Sequence, residues 1–326
     1  MRFLHVANGT STTDTIHEAG IPGSTSIWAD PLHEGPVPGL LSDEQLLDVR
    51  ARHLASAGID AADTIAELRR WRQAIDDRAS YDELVLWFEH DLFDQLNLIQ
   101  LLGRIGQGSL RTGLVSLICI DSFPGHPRFK GLGELPPGEL GSLFDTRQRV
   151  SDAQYDAAAR AWDAFRAPDP LALEALLETD TSALPFLAAA LQRHLQEYPW
   201  SRDGLSRTER RLMTLAGPGP IDIWKAFPLM HEDETAFYIA DSSFWQVAQE
   251  LESARPSLLT VAATSTAPNR LLAGTIAVTV AGQAVLNGQL DRVEQCGIDR
   301  WLGGVHLTGS HATWRWDDAL EKIWQC

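Results

Sequence analysis

The sequence predicts an α/β fold: a Rossmann-like, mainly parallel sheet domain, then a helical connector and a C-terminal winged-helix-like α+β domain. Three observations predict it. Four short apolar runs are separated by helical patterns in the first half of the chain. From Ser151 the pattern is helical only. Beyond about residue 201, three helical patterns precede two strand patterns. The boundaries are 1–150 for the sheet domain, 151–200 for the connector and 201–326 for the last domain.

The first run, FLHVA, ends at Asn8-Gly9, and TSTTDTIHEAG then starts a polar helix that stops at Gly20. STSIWA (24–29) is the second strand. A loop rich in proline and glycine occupies 30–39. Ser42 heads LSDEQLLDVRARHLASAG, with Glu44 and Gln45 in its first turn and Leu46, Leu47, Val49 and Leu54 at helical spacing. A heavily charged helix follows over about 61–78. ELVLWF (83–88) is a continuous apolar run of the kind buried on both faces, and EHDLFDQLNLIQLLGRIG after it is an amphipathic helix. LVSLICI (114–120) is the fourth run. Right-handed crossovers are expected, but strand order is not written in the sequence.

In the connector, SDAQYDAAARAWDAF sets Tyr155, Ala158, Ala159 and Trp162 on one face, and Pro168, Pro170 and Pro185 punctuate two further helical stretches. Ser206-Arg207-Thr208-Glu209 is a capping box opening a helix through about Ala216. Gly217-Pro218-Gly219-Pro220 stops it. Helices over about 221–230 and from Asp241 or Ser242 follow, then SLLTV and TIAVTV as strands joined by a polar loop, then a short helix in VAGQAVLNG. Residues 298–307 and Trp314-Arg315-Trp316-Asp317 read as a closing strand pair. Its tryptophans, Trp301 included, are core, and Asp299, Arg300, Arg315 and Asp317 are available to pair with one another.

Composition bounds the function. The 326 residues are 44% hydrophobic and 22% charged, which excludes a disordered chain or a disulfide scaffold. No apolar run approaches the roughly 20 residues of a membrane helix, so no membrane partner is expected. Lysine and arginine total 27 against 44 acids, a net charge of −17. That excess argues against nucleic acid as a partner. Cys119, Cys296 and Cys326 form no framework, and the start of the chain has no signal-peptide pattern. A reducing cytoplasm is therefore the expected compartment, with Cys119 an inert thiol.

Ligands of open parallel sheets bind beyond the carboxyl ends of the strands, so the residues after each run are the candidates. Asn8, Gly9 and Ser11 form a strand-to-helix turn suited to an anion, although GxGxxG and the Walker lysine are absent. Asp30 and His33 lie in a stiff DPLHEGP loop. Glu89, His90 and Asp91 open a helix, with Asp94 and Gln95 on the same face as Asp91. Helix capping would account for those acids equally well. Arg128 and Lys130, beside Gly131-Leu132-Gly133, could hold an anionic group. The expected catalytic set is Asp30, His33, Glu89, His90 and Asp91, as acid–base groups or oxygen ligands of a divalent cation. The expected binding set is Asn8, Gly9, Ser11, Arg128 and Lys130. No zinc signature and no GxSxG elbow is present.

HVANGTS, WADPLHEGPVP, LWFEHDLFDQLNLIQLL, FPGHPRFKGLGEL and DTSALPFLAAALQRHLQEYP resemble the bacterial family called domain of unknown function 1835. LSRTERRLMTLA, GIDRWLGGVHLTG and WRWD resemble its usual C-terminal partner, domain of unknown function 3658. Together they cover nearly the whole chain. The resemblance implies a two-part layout and assigns no catalytic residue. The expected function is a small-molecule enzyme, with or without a metal, acting on a phosphorylated or nucleotide-like anionic ligand. The alternative is a ligand-sensing regulator or adaptor whose C-terminal domain contacts a protein, DNA or a second copy of the chain. Against DNA, the third helix of that domain carries acids and no lysine or arginine, and the basic cluster (Arg202, Arg207, Arg210, Arg211) lies on and before the first.

Overall fold

The computed structural model describes residues 1–56, 60–107, 113–263 and 273–326. They form two compact units: Met1–Leu191 with Gly303–Val305, and Gln192–Leu302 with His306–Cys326. The helical stretch from Ser151 through Leu191 therefore counts with the sheet.

In the first unit the order is β1 (Phe3–Ala7), α1 (Thr10–Glu18), β2 (Ser24–Ile27), α2 (Asp43–Ser56), α3 (Ala61–Asp76), β3 (Glu83–Glu89), α4 (Leu92–Gly106) and β4 (Leu114–Ile120). Then come α5 (Pro137–Ser142), β5 (Gln148–Arg149), α6 (Asp152–Phe165) and α7 (Leu171–Leu177). The sheet order is β2-β1-β3-β4-β5. The first four strands are parallel, and β5 runs antiparallel to β4.

This order positions the site. From β1 the chain crosses to β2 on one side, then returns past β1 to β3 on the other. With right-handed crossovers the reversal puts α1 and α4 on opposite faces. Accordingly α1 packs against α5, and α4 against α6. The carboxyl ends of β1 and β3 flank the point of reversal, the place at which open parallel sheets generally bind ligands.

β1 and β3 are buried along their whole length, as their continuous apolar runs demand. On the α1 face, Phe3, Ala7, Val85, Trp87 and Ile118 pack with Ile16, Leu132, Leu140 and Leu143. His5 lies in the same layer, fully buried. The Trp87 indole N–H donates to its Nδ1 at 3.1 Å, and its Nε2–H donates to the Pro22 carbonyl at 3.2 Å. A ring that accepts on one nitrogen and donates on the other is neutral. Burial lowers its pKa to match.

α8 (Leu187–Leu195) carries the chain from the first unit into the second. There α9 (Arg207–Ala216), β6 (Ile221–Asp222), α10 (Ile223–Met230), α11 (Asp241–Ser253), β7 (Leu259–Ala263) and β8 (Gly274–Val278) follow, with antiparallel sheet order β6-β8-β7. The polar loop expected between β7 and β8 lies, over 264–272, outside the described residues. α12 (Val280–Leu286) and α13 (Arg292–Cys296) come next.

The closing strand pair is a misreading of two hairpins, β9 (Ile298–Leu302) with β10 (Val305–Gly309) and β11 (Trp314–Asp317) with β12 (Lys322–Gln325). Of the three tryptophans only Trp316 is fully buried. The expected pairing among Asp299, Arg300, Arg315 and Asp317 does not occur. Asp299 takes His306, Arg315 takes Asp291, and Arg300 takes Glu209 and Glu250. Glu209 closes the α9 capping box on the Ser206 N–H with one oxygen and meets Arg300 and Arg292 with the other. Burial opposes its charge, but those guanidinium groups outweigh it and hold the carboxyl at about 2.

Among the described residues no helix is long and apolar enough to cross a membrane.

Candidate functional site

The residue after β1 and the last residue of β3 meet across the reversal point. Asn8 Nδ2 donates to Glu89 Oε2 at 3.2 Å and to Asp94 Oδ2 at 2.8 Å. Thr12, one turn into α1, donates its hydroxyl to Asn8 Oδ1 at 3.3 Å and so aims the amide at the acids. Asp94 Oδ1 accepts the Glu89 backbone N–H at 2.8 Å. Asp91 caps α4 by accepting the Asp94 N–H at 2.9 Å. Gln95 donates to the Glu89 carbonyl at 2.6 Å. One turn of α4 thus gathers its acids under the end of β3.

The loop after β4 closes over this cluster. Its Leu132 N–H donates to Glu89 Oε1, and Ser11 donates its hydroxyl to the Gly133 carbonyl at 3.3 Å. Gly131 lies flat on the carboxyl: a Cβ there would sit 2.6 Å from Glu89 Oε2 and 2.8 Å from its Cδ. Its backbone is extended, so the need for glycine is one of space. Gly131→Ala is therefore expected to push Glu89 off the Leu132 N–H and cost about 1–3 kcal/mol. Gly9→Ala, which meets open space, is the near-neutral control. Urea unfolding of both variants against the parent checks this.

The cluster is nearly sealed. Glu89 and Asp91 are 5% and 7% exposed, and Asp94 1%. Burial first, and the Asp91 charge next, push Glu89 up to about 8. Burial raises Asp91 to about 6, against the Asp94 N–H and the nearby His33. Asp94 is held well above the carboxylate range by burial and then by Glu89 and Asp91. Carboxyls crowded away from water cannot all ionise together. The cluster therefore holds protons above the usual carboxylate range, an unusual state that suits proton donation.

Beside these acids begins α1. Its N-cap, Gly9, supplies no side chain to cap the helix, and no acid stands in its first turn. Thr10 and Ser11 are exposed. The helix therefore starts with a positive end that no side chain of its own offsets.

The other expected residues scatter. Asp30 is taken by Arg50, whose Nε and Nη2 both reach its carboxylate, at 3.0 and 2.7 Å. Arg50 is itself buried and also donates to the Glu34 and Pro31 carbonyls. The Asp30 backbone is clamped by Asn97 of α4 at both its N–H and its carbonyl. Asp30, expected to be catalytic, is thus engaged in a buried clamp with Arg50 and Asn97. His90 packs edge-on to Phe186 and near Phe129, with ring centroids 6.2 and 6.5 Å away. His33 pairs with Glu34 at 3.3 Å and meets the Phe93 ring. Its charge lowers the pKa of Asp91. Asn8 gives its amide N–H groups to the two acids. Arg128 is exposed and Lys130 half-buried, on the loop that covers Glu89. Cys119 donates to the Glu89 carbonyl at 3.5 Å, and burial pushes its thiol well up, as expected of an inert sulfur. Sequence reasoning missed Arg50, Asn97 and the closure by Gly131 and Leu132.

Among the described residues no group of three or more His, Cys, Asp or Glu side chains is placed to hold a metal ion. The alternative of oxygen ligands for a divalent cation thus finds no ready ligand set among the described residues. The sequence matches no family model and no curated protein.

Proposed function

We propose that the first unit is an acid–base enzyme acting on a small phosphorylated or nucleotide-like anion. The anion docks on the N–H groups that open α1, at Gly9 and Ser11, with Arg128 and Lys130 of the covering loop drawing it in. Glu89 is the proton donor, and Asp91 and Asp94 tune it. The observation that carries this reading is the Asn8 amide joining Glu89 and Asp94 across the strand-order reversal. It supports the reading because an acid held above the usual carboxylate range then lies near an uncapped helix start, at the strand-order reversal where ligands of such sheets bind. A neutral carboxyl is compatible with a neighbouring anion, as an ionised one is not. No step needs a metal. The resemblance to domains of unknown function 1835 and 3658, and a cytoplasmic setting, belong to the same proposal.

Inorganic phosphate titrated into isotopically labelled protein tests it. The backbone amides of Thr10, Ser11 and Thr12 are expected to shift at millimolar phosphate. Affinity should fall as pH rises through about 8, where Glu89 ionises and repels the anion. Unmoved amides, or an affinity that ignores that ionisation, refute the reading.

A second reading rests on the second unit. Helix, strand, two helices and a hairpin, with the first strand paired to the last, is the arrangement expected of a winged helix. We take it as a module contacting a protein partner or a second copy of the chain, in a ligand-sensing regulator. α11 contains no lysine or arginine with which to read bases. The α9 arginines Arg207, Arg210 and Arg211 pair with Glu234, Asp203 and Asp233.

A further inference from the structure

The second unit contains a cavity of about 260 Å³ that the proposed chemistry does not use. One stripe of α9 lines it: Arg207, Arg210 and Arg211 stand three and four residues apart, so their side chains share a helix face. Met230, Phe237 and Ile239 supply an apolar wall, and all three are nearly fully buried.

The lining is cationic in a strongly acidic protein. Four arginines line it with the carboxylates of Asp233 and Glu234, and behind the lining Glu197 and Asp203 pair with Arg193 and Arg210. Arg193 is fully engaged, with Glu197, Glu234 and Thr208 each taking one of its nitrogens. Arg207 gives Nη1 to Gln196 and Nη2 to Glu234, and Arg210 pairs with Asp203, but Arg210 and Arg211 keep nitrogens to spare. Among the described residues nothing accepts from the buried Nε of Arg210. Arg211 reaches the Leu229 carbonyl and Asp233 through Nη2 alone. Burial and the Arg202 charge lower Arg210 to about 10, and burial and the Arg193 charge lower Arg207. Cations crowded and dried in this way gain from an added anion.

We propose that this cavity binds a small organic acid, its carboxylate on Arg210 and Arg211 and an apolar body of about benzoate size on Met230, Phe237 and Ile239. Guanidinium groups recognise a planar carboxylate through paired hydrogen bonds. The apolar wall then selects an acid with a hydrophobic body over a bare anion. This site stands independently of the reading of Glu89.

Calorimetric titration of the full chain tests it, with benzoate, with benzyl alcohol (the ring without charge) and with acetate (the charge without the ring). Benzoate is expected to bind at least about tenfold more tightly than either. Arg211→Gln alters a partly exposed side chain and is expected to weaken benzoate by about tenfold, the worth of a charge-assisted hydrogen bond. No binding of benzoate, equal binding of benzyl alcohol, or an Arg211→Gln variant that binds like the parent each overturns the proposal. Saturating benzoate should leave the Thr10–Thr12 amides unmoved, so this site and the phosphate site can fail separately.

Discussion

Arg50→Met lowers the stability of the first unit by about 3–5 kcal/mol, read as a lower urea midpoint for its transition. Asp30 is 6% exposed and Arg50 1%. The guanidinium holds both carboxylate oxygens and two loop carbonyls. Removing it leaves a buried charge without a counterion and carbonyls without donors. The Asp30→Asn, Arg50→Met double variant regains part of the loss, because a neutral amide can stay buried at lower cost. If the single variant unfolds like the parent, water reaches Asp30 and the clamp does not determine the DPLHEGP loop.

Glu89→Gln makes the protein's stability less sensitive to alkali. Glu89 titrates at about 8 when folded, against 4.5 ordinarily. The folded chain therefore keeps a proton that the unfolded chain releases across that interval. The contribution is fully present below the ordinary carboxyl value and is lost as pH rises through about 8. Each unit of difference is worth about 1.4 kcal/mol, so the swing is on the order of a few kcal/mol, shared with Asp91 and Asp94. A glutamine cannot titrate, and its amide oxygen can still accept the Leu132 N–H. Urea midpoints at about pH 5 and about pH 9 should therefore fall steeply for the parent and less for the variant, which becomes the more stable of the two in alkali. Parallel declines would mean that Glu89 is already ionised in the folded chain.

β1, β3 and β4 were legible because each is a largely apolar run, the pattern of strands covered on both faces, whereas β2 is mostly polar and was legible from its place between turn and loop signals. Their order was not. It depends on which helix covers which face, and no local pattern encodes that. The site inherits both facts. Asn8, Glu89 and Asp91 could be named from their places after β1 and β3. Their meeting, across 81 residues between Asn8 and Glu89, follows only from the order β2-β1-β3. Asp30 misled because its partner is distant in sequence. A trace of it was present: Arg50 falls on the apolar stripe of α2 with Leu46, Leu47 and Ala51, all buried, where an arginine requires a counterion. Gly131-Leu132-Gly133 was read for its flanking cations, but its own role is to lie on a carboxyl.

The rims of the parallel sheet bear on how the chain behaves in crowded solution. One rim is β2, four residues long, with Ser24, Thr25 and Ser26 ahead of its lone isoleucine. The other is β5, only Gln148 and Arg149, both exposed and running against the grain of the rest. Neither offers the long, flat, greasy border on which foreign strands stack into fibrils. The three central strands can thus be strongly apolar without recruiting copies of the chain edge to edge.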